Sequence, residues 1–456
     1  MTTTDAITAI NPATGAPLAE YDSDEARVDE ALDRSVAAFR DWRRRPFHER
    51  AEVIASAGRV LRERQEEFAQ LITAEMGKPI REARAEVEKC AVGCGYFAEE
   101  GERLLAPEMI SSDANESFVR FDPLGTVLAV MPWNFPFWQV FRFAAPALMA
   151  GNAGILKHAS NVPGCSRAIE DVFREAGAPE GIFQSLLIGA RTASSMVADD
   201  RIAAVTLTGS EAAGSAIGAA AGEAIKPSVL ELGGSDPFII LADADVDAAV
   251  EAAVKARVIN SGQSCIAAKR FIVEAPVYDR VVEGMRAAME ALNVGDPTQD
   301  ETDIGPLARR DLVDDLEDQL SRSVQEGARL QAGGKPITGP GFYYQPTLLA
   351  ECRPEHTAMR EETFGPLAAV ARVADAEEAI RIANDSRYGL GAAIFTDPAR
   401  GKALAAEIEA GHVAVNGIVR SDPRLPFGGI KKSGYGRELA EPGIRSFVNM
   451  KTVWIA

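Results

Sequence analysis

The sequence is poor in histidine, has no long apolar run and carries no surplus of basic residues. Its four histidines, at positions 48, 158, 356 and 412, show no metal-ligand spacing, so we expect no metal site. No run of 18 apolar residues is present, and we therefore expect no membrane span. The 48 basic residues face 67 acidic ones, and the resulting net charge of −19 argues against a nucleic-acid partner.

Cysteine is also scarce, with residues at positions 90, 94, 165, 265 and 352. An odd, scattered set, together with an N-terminus that lacks a basic and apolar signal pattern, predicts reduced thiols in a cytoplasmic protein. Cys90 and Cys94 lie four residues apart on a predicted helix and could be two metal ligands. Because no further Cys or His nearby completes a ligand set, we expect them to pack in a core.

The predicted elements are typical of an α/β protein. Helical periodicity covers 25–44, 49–76 and 79–104, and a β pattern follows at 117–121 and 126–131. Short apolar runs then alternate with helical segments, which favours a parallel sheet with crossover helices and a dinucleotide site. The runs are 153–157, 182–188, 203–207 and 228–232, and the helical segments are 138–150, 164–176, 192–198 and 211–222.

A second alternating region follows the composition break at Gly233-Gly234 and extends from about 235 to 425. Its predicted elements include strands at 237–241, 271–274 and 392–395 and helices at 245–259 and 376–384. The chain ends in a β-like run, Val448–Ile455. An apolar strand at a chain end needs a partner, and pairing with another subunit would supply one.

The usual dinucleotide fingerprint, GxGxxG after a strand, is absent. A Gly-Ser pair, Gly209-Ser210, follows the run 203–207 and opens a predicted helix. Ser210 is a candidate N-cap, and the helix N-terminus would attract a pyrophosphate. Alone, such a junction is only a weak indication of a cofactor site.

Three side chains offer the parts of a thiol-based attack on a carbonyl group. Cys265 follows the turn-like Gly262-Gln263-Ser264, Glu231 precedes two glycines, and Asn134 lies between two aromatic residues. A thiol can act as nucleophile, a carboxylate as base and an amide as oxyanion donor. Each also has a structural interpretation: a core cysteine, a buried structural carboxylate and a turn-forming asparagine.

Seven motifs occur in an order that resembles the aldehyde dehydrogenase family over nearly the whole chain, from about residue 8. They are MPWNFPFWQ, ILKHAS, TLTGS, LELGGSDP, NSGQSC, EETFGP and PFGGIKKSGYGRE. The resemblance implies a Rossmann-type cofactor domain (1–104 and 124–232), an α/β catalytic domain (233–428), and a small β oligomerisation arm with a C-terminal tail (105–123 and 429–456). It also implies a homodimer or homotetramer.

The resemblance assigns catalytic roles to the three side chains. Cys265 is the implied nucleophile, Asn134 and the Cys265 N–H stabilise the oxyanion, and Glu231 activates the water that hydrolyses a thioester. The reaction implied is hydrolytic oxidation of an aldehyde with a nicotinamide cofactor and without a metal.

The resemblance also implies the cofactor contacts. They are Trp133, Asn134, Lys157, His158, Ala159, Ser160, Gly209, Ser210, Leu232, Glu362 and Phe364. In many NAD-using relatives a glutamate stands three residues after the lysine, where this chain has Ser160. Because serine does not repel a 2′-phosphate and Lys157 can pair with one, we predict that NADP is preferred and that NAD is used more weakly.

The substrate implied is a small aldehyde with a distal carboxylate, namely succinate semialdehyde. Arg142 lies eight residues after Asn134, a little over two helical turns, and could bind that carboxylate. Ser421 lies in a loop where similar enzymes place a carboxylate-binding serine. Some members carry a second arginine six residues before the nucleophile, where this chain has Ile259. A broad-specificity enzyme, a CoA-acylating enzyme and a non-catalytic relative remain alternatives.

Overall fold

A computed structural model describes residues 6–456. The helices are α1 (Val28–Trp42), α2 (Phe47–Glu63), α3 (Gln65–Met76), α4 (Ile80–Leu104), α5 (Trp138–Ala150), α6 (Pro163–Glu175), α7 (Ala190–Val197), α8 (Glu211–Glu223), α9 (Val246–Val258), α10 (Ala275–Glu290), α11 (Arg310–Gln325), α12 (Thr357–Arg360), α13 (Ala376–Asn384), α14 (Pro398–Leu404) and α15 (Ala440–Arg445).

The strands are β1 (Ile7–Ile10), β2 (Pro17–Tyr21), β3 (Glu108–Met109), β4 (Glu116–Pro123), β5 (Thr126–Met131), β6 (Ala153–His158), β7 (Phe183–Ser185), β8 (Ile202–Thr208), β9 (Ser228–Glu231), β10 (Asp236–Ile240), β11 (Ala268–Glu274), β12 (Arg329–Ala332), β13 (Thr347–Cys352), β14 (Leu367–Val373), β15 (Tyr388–Gly389), β16 (Gly391–Phe395), β17 (His412–Val415), β18 (Ile430–Lys431), β19 (Gly434–Tyr435) and β20 (Val448–Ile455).

The first large sheet has the strand order β19-β9-β8-β5-β6-β7, and β9 to β7 are parallel to their neighbours. Its strands are rich in Val, Ile, Leu and Ala because helices cover both faces of a parallel sheet. The carboxyl ends of β5, β6, β8 and β9 meet at one edge. Ligands of open α/β sheets bind outside that edge, so this topology positions the candidate site.

The second large sheet has the order β12-β13-β14-β11-β10-β16-β17 and is parallel except for β12. Residues on its two faces belong to two separate apolar clusters. The sheet is thus a second layered core, as the alternation from 235 to 425 predicts.

Helix α5 connects the first sheet to the site and is buried along its whole length. It is apolar on nearly every side, which is the pattern of a core helix. It ends at Gly151, whose φ of +101° is a conformation that favours glycine. Its N-terminal end therefore has little freedom to move relative to the sheet.

The terminal strand β20 finds its partner within the same chain. It pairs antiparallel with β4 along its length, from Val448 opposite Pro123 to Ile455 opposite Glu116. The order β20-β4-β3 still leaves β20 at an edge, where Met450 is 70% exposed and Trp454 54%. One edge of the strand therefore has a partner within the chain, while its outer edge remains open.

The tail from 429 onward contributes to more than the small sheet. The pair Gly434–Tyr435 extends the first large sheet next to β9, and Ile430–Lys431 pairs with β15. Helix α15 packs against α5. The segment 429–456 was predicted to form part of the arm and the tail. Within it, only residues 448–455 belong to the three-stranded sheet β20-β4-β3.

Several predicted elements agree with the structure, with differences at their ends. The predicted helix 49–76 is divided at Arg64 into α2 and α3, and α13 has the predicted bounds. Ser210 caps α8 by accepting a hydrogen bond from the Ala213 N–H at 3.3 Å, as predicted. The hairpin β1–β2 and helices α10 and α11 were not predicted.

Cys90 and Cys94 lie fully buried in the largest apolar cluster, which confirms the prediction of core packing. Burial raises the pKa of Cys94 to about 12 and that of Cys90 well above its usual value. In the part of the chain that the structure describes, no helix is long and apolar enough to cross a membrane.

Candidate active site

A cleft of about 210 Å³ lies at the carboxyl edge of the first sheet and is closed on its other side by loops of the second domain. It brings together eight of the residues predicted from the sequence: Trp133, Asn134, Gly209, Ser210, Leu232, Cys265, Glu362 and Phe364. These residues are up to 231 positions apart in the chain, so the fold alone unites them.

The nucleophile candidate lies on a loop with a tightly specified backbone. Before it, Asn260, Ser261 and Gly262 have φ values of +53°, +56° and +80°. A Cβ on Gly262 would collide with the main chain of Gly365, so only glycine fits there. The Arg257 guanidinium donates a 2.7 Å hydrogen bond to the Gly262 carbonyl. The loop is therefore held in one conformation before substrate arrives.

Lys269 fixes the other side of this loop. Its buried ammonium group donates to the carbonyl oxygens of Ser264 (2.9 Å), Cys265 (2.8 Å) and Ala267 (3.1 Å). The same nitrogen lies 3.6 Å from the Glu362 carboxylate. Lys269 thus ties the loop to the cofactor side of the cleft.

The Cys265 thiol is protonated at neutral pH in this structure. Burial of the sulfur raises its pKa to about 12, although the positive charges of Arg142 and Lys269 lower it. A base must therefore remove the proton when the thiol attacks a carbonyl carbon.

Asn134 is buried beside Cys265; one hydrogen bond holds its side chain and another holds its main-chain carbonyl. Its amide nitrogen donates a 3.1 Å hydrogen bond to the Gln263 carbonyl. The Asn260 side chain donates to the Asn134 carbonyl at 2.6 Å and to the same Gln263 carbonyl at 3.1 Å. A primary amide has two hydrogens, so the second hydrogen of Asn134 is available to an oxyanion.

A buried carboxylate anchors the segment that carries Asn134. Glu86 accepts hydrogen bonds from the N–H groups of Phe137 (2.9 Å) and Trp138 (3.0 Å), at the start of α5. It also forms an ion pair with the buried Lys78. An anion is favoured at a helix N-terminus, where main-chain N–H groups lack partners within the helix.

Glu231 ends strand β9 and is 2% exposed. Within residues 6–456 neither of its carboxylate oxygens has a hydrogen-bond partner. Burial, and then the negative charge of Glu438, raise the pKa of Glu231 well above its usual value. A Cβ on Gly428 would lie 2.5 Å from one of these oxygens, so glycine leaves the carboxylate its space. A carboxylate with a raised pKa is a stronger base than an ordinary one once it is deprotonated.

Arg142 and Ser421, the two residues predicted to bind a distal carboxylate, have different neighbours. Arg142 is 2% exposed, forms a buried ion pair with Glu438, and lies over the Phe427 ring at 4.5 Å. Ser421 accepts hydrogen bonds from Lys89 at 2.6 Å and from the Trp138 indole at 3.0 Å. The role of each in substrate binding stays a prediction.

The remaining cleft residues suit a dinucleotide. Ser210 and Gly209 present the N-terminus of α8, and an anion is favoured there. The Glu362 carboxylate is fixed by a 3.0 Å hydrogen bond from the Gly234 N–H. The rings of Trp133 and Phe364 meet edge to face at 5.7 Å and form an aromatic wall. The chemistry and position of these groups fit a phosphate-bearing cofactor with a ribose hydroxyl near Glu362.

The segment Lys157–Ser160 leaves the first sheet at the carboxyl end of β6, outside this cleft. Ser160 is exposed, whereas Lys157 and Ala159 are half-buried. His158 points inward: its Nε2–H donates to the Pro136 carbonyl at 2.9 Å, and its Nδ1 accepts from the Ala159 N–H at 2.9 Å. The imidazole is therefore occupied, and a cofactor could meet only the main chain of His158.

Sequence reasoning missed several residues of the site. Arg309 lines the cleft and lies over the Trp133 ring at 5.3 Å, and Gln139 and Thr208 also line it. Arg257, Lys269 and Glu438 act on the predicted residues through contacts that join distant parts of the chain. Glu438 stands at the end of the PFGGIKKSGYGRE motif, and that position was its only signal in the sequence.

A parallel α/β sheet with a cleft at its carboxyl edge, and a cysteine that lines this cleft from a loop beside a second sheet, are features of the class of α/β oxidoreductases. The chain belongs to the aldehyde dehydrogenase family, whose model matches residues 1–453. This confirms the resemblance inferred from the seven motifs.

Individual relatives cover the whole chain. It is 52% identical to a probable succinate-semialdehyde dehydrogenase [NADP(+)] of Synechocystis sp., over 99% of this chain and 100% of that protein. It is 50% identical to a succinate semialdehyde dehydrogenase [NAD(P)+] of Escherichia coli, over 98% and 97%. A solved structure of a Streptococcus pyogenes succinic semialdehyde dehydrogenase with NADP+ has a TM-score of 0.96 at 38% identity, over 99% and 100%.

Proposed function

We propose that this enzyme oxidises succinate semialdehyde to succinate with NADP⁺. The observation that carries the proposal is the meeting of Cys265, Asn134 and Glu362 in one cleft. The buried carboxylate of Glu231 belongs to the residue before Leu232, which lines that cleft. The names of the similar proteins supply the substrate and the cofactor.

The chain's own residues account for the covalent steps. The Cys265 sulfur bonds to the aldehyde carbon as a base takes the thiol proton, and Asn134 and the Cys265 N–H stabilise the resulting oxyanion. Glu362 and the N-terminus of α8 would hold a nicotinamide dinucleotide, which would supply the acceptor for the hydride of that carbon. Glu231 then removes a proton from water, which attacks the thioester and releases the carboxylate and the thiol. One aldehyde, one water and one NADP⁺ thus give one carboxylic acid, one NADPH and one proton.

The preference for NADP rests on the segment at the end of β6. Ser160 is exposed and uncharged at the position where a carboxylate would repel a 2′-phosphate. Lys157 stands three residues earlier on the same segment and offers a positive charge. Burial lowers the pKa of Lys157 from its usual value, and a phosphate beside it would reverse that shift.

The ion pair between Arg142 and Glu438 supports a second candidate function. Because its guanidinium is paired with Glu438, it has a carboxylate partner without any substrate. An enzyme in which Arg142 is purely structural would oxidise aldehydes without a preference for a distal carboxylate.

The experiment that separates the two measures kcat/KM for a panel of aldehydes with both cofactors. Succinate semialdehyde should exceed butanal, which has the same four carbons and no carboxylate, by at least about 100-fold. NADP⁺ should exceed NAD⁺. Equal values for the two aldehydes would support the broad-specificity enzyme, and equal or higher values with NAD⁺ would overturn the cofactor preference. Product analysis with and without CoA tests the acylating alternative.

The proposal includes a homodimer or homotetramer in the cytoplasm. The exposed apolar residues on the open edge strand β20, Met450 and Trp454 among them, offer a surface that a second copy can cover. Light scattering of the purified protein tests the oligomer, and cell fractionation tests the location.

A further inference from the structure

A second cavity lies on the other side of the segment that carries Asn134. Its volume is about 580 Å³, and its wall includes Phe135, Trp138, Ile259 and Lys89. Trp133 and Asn134 face the cofactor cleft, whereas Phe135 and Trp138 face this cavity. An aldehyde can therefore approach the Cys265 loop from this side while the cofactor occupies the other.

The wall of this cavity combines an apolar part with charged side chains, and Lys89 is the half-buried cation of the apolar part. The other charged residues of the wall are Arg81, Glu82, Glu86, Glu251, Lys255 and Asp303. Trp138, Phe135 and Ile259 provide apolar surface. The Lys89 ammonium group lies 4.4 Å from the centre of the Trp138 ring and donates a 2.6 Å hydrogen bond to Ser421. An ammonium group has three N–H donors, so Lys89 has donor capacity left for a ligand.

Lys89 forms no ion pair with a carboxylate among the residues that the structure describes. None of them places a carboxylate oxygen within 4.0 Å of its nitrogen. Its two acidic neighbours are engaged: Glu86 with Lys78 and the start of α5, and Asp422 with Arg424 at 2.6 Å and 2.8 Å. Lys89 is half-buried, so its ammonium group is partly removed from water without an ion-pair partner, and an anionic ligand would offset that cost.

Ser421 is oriented as a second donor to the same ligand. Its oxygen accepts hydrogen bonds from both Lys89 and the Trp138 indole. With two acceptor positions filled, the hydroxyl hydrogen is free to be donated. Lys89 lines the cavity and Ser421 lies directly behind it, so the two together offer N–H and O–H donors at one place, a pattern that suits a carboxylate.

We propose that Lys89, with Ser421, binds the distal carboxylate of the aldehyde substrate and so determines specificity. This inference deepens the proposed function and rests on it. Arg142 is then the partner of Glu438, and its charge acts on Lys89 through space.

The charge of Lys89 should make recognition depend on pH. Burial lowers its pKa to about 8; Arg142 lowers it further, while Cys90, Glu86 and Asp422 oppose the shift. The ammonium form is present below that pKa and is lost as the pH rises through it. The preference for a carboxylate-bearing aldehyde should therefore fall above about pH 8.

The test compares the variants K89M, K89R and K255M with succinate semialdehyde and butanal as substrates. Lys255 lines the rim of the same cavity and is exposed, so K255M is a matched control. We expect K89M to lower kcat/KM for succinate semialdehyde by about 10- to 100-fold and to change that for butanal by less than about 3-fold. K89R should retain the preference for succinate semialdehyde and extend it above pH 9. K255M should leave kcat/KM for both aldehydes unchanged.

Three outcomes would overturn the inference. If K89M keeps the preference for succinate semialdehyde, Lys89 does not bind the carboxylate, although the proposed function stands. If K89M lowers kcat/KM equally for both aldehydes while K89R has parental values for both, Lys89 has only a structural role. If the parent enzyme shows no preference over butanal, the proposed substrate fails together with the inference.

Discussion

The side-chain amide of Asn134 donates a 3.1 Å hydrogen bond to the main-chain carbonyl of Gln263, two residues before Cys265. This bond joins the loop that follows β5 in the first domain to the nucleophile loop of the second. It orients an amide donor beside the sulfur before any substrate binds. Preorganised donors of this kind need no reorganisation when charge develops on the substrate oxygen.

The first prediction concerns Asn134. We expect N134A to lower kcat by about 10²- to 10³-fold, because one of the two oxyanion donors is lost. N134D keeps the shape of the side chain but places an acceptor where a donor is needed, and it should be at least as impaired. Steady-state kinetics checks the loss. A cofactor-binding affinity equal to that of the parent would show that the cleft is intact, whereas a kcat near the parental value would exclude the oxyanion role.

The second prediction concerns Glu231 as the base of thioester hydrolysis. In E231Q the first turnover should proceed and hydrolysis should stall, so a stopped-flow trace should show a burst of NADPH close to one per site. The steady-state rate should then be slower by about 10²- to 10⁴-fold. The absence of a burst would mean that Glu231 is needed earlier, for removal of the Cys265 proton.

The protonation of Glu231 should also determine how kcat depends on pH. Burial and Glu438 raise the pKa of Glu231, and only the deprotonated carboxylate is a base. The parental kcat should therefore rise with pH through that raised pKa, and E231Q should lack this rise.

The third prediction concerns the buried pair of Arg142 and Glu438. R142M and E438L should each destabilise the protein by about 3–5 kcal/mol, because each leaves one charge buried without its partner. The double variant R142M/E438L should recover most of that loss, since it leaves no unpaired charge. Urea unfolding at pH 7 measures the three values, and additive losses would contradict a direct interaction.

The fourth prediction concerns cofactor choice. S160E should lower kcat/KM for NADP⁺ by about 100-fold, because a carboxylate there repels the 2′-phosphate and accepts hydrogen bonds from a 2′-hydroxyl. The value for NAD⁺ should be unchanged or higher. S160A serves as the neutral control and should keep the parental preference; the same ratio of the two cofactors in S160E and S160A would place the 2′-phosphate elsewhere.

The fifth prediction concerns His158 and stability in acid. Burial lowers its pKa from 6.5 to about 4, and both ring nitrogens are used in the neutral form. A group with a depressed pKa in the folded state stabilises above its unfolded pKa, and this stability is lost as the pH falls. Between pH 7 and pH 5 His158 should account for about 2 kcal/mol of lost stability.

The measurement for His158 is urea unfolding of the parent and of H158Q at both pH values. The parent should lose more stability between them than H158Q does, by about that amount. Equal losses in the two proteins would show that the imidazole is not held in its neutral form.

The α/β class, most of the helices and half of the strands could be predicted from the sequence, which also indicated the residues of the candidate site. Period-2 and period-3.6 patterns depend on neighbours along the chain, so they could be read directly. The seven ordered motifs likewise identified Cys265, Glu231 and Asn134. Exceptions such as the division of the long helix at Arg64 are local details that a periodic pattern does not specify.

Only the tertiary structure decided which groups surround those residues. The partner of Arg142 is Glu438, 296 positions away, and Ser421 lies beside Lys89, 332 positions away. Ion pairing, burial and the resulting pKa shifts arise from such contacts, and no local pattern encodes them. For the same reason the sequence predicted two carboxylate-binding residues but not the neighbours that the folded chain gives them, Glu438 for Arg142 and Lys89 for Ser421.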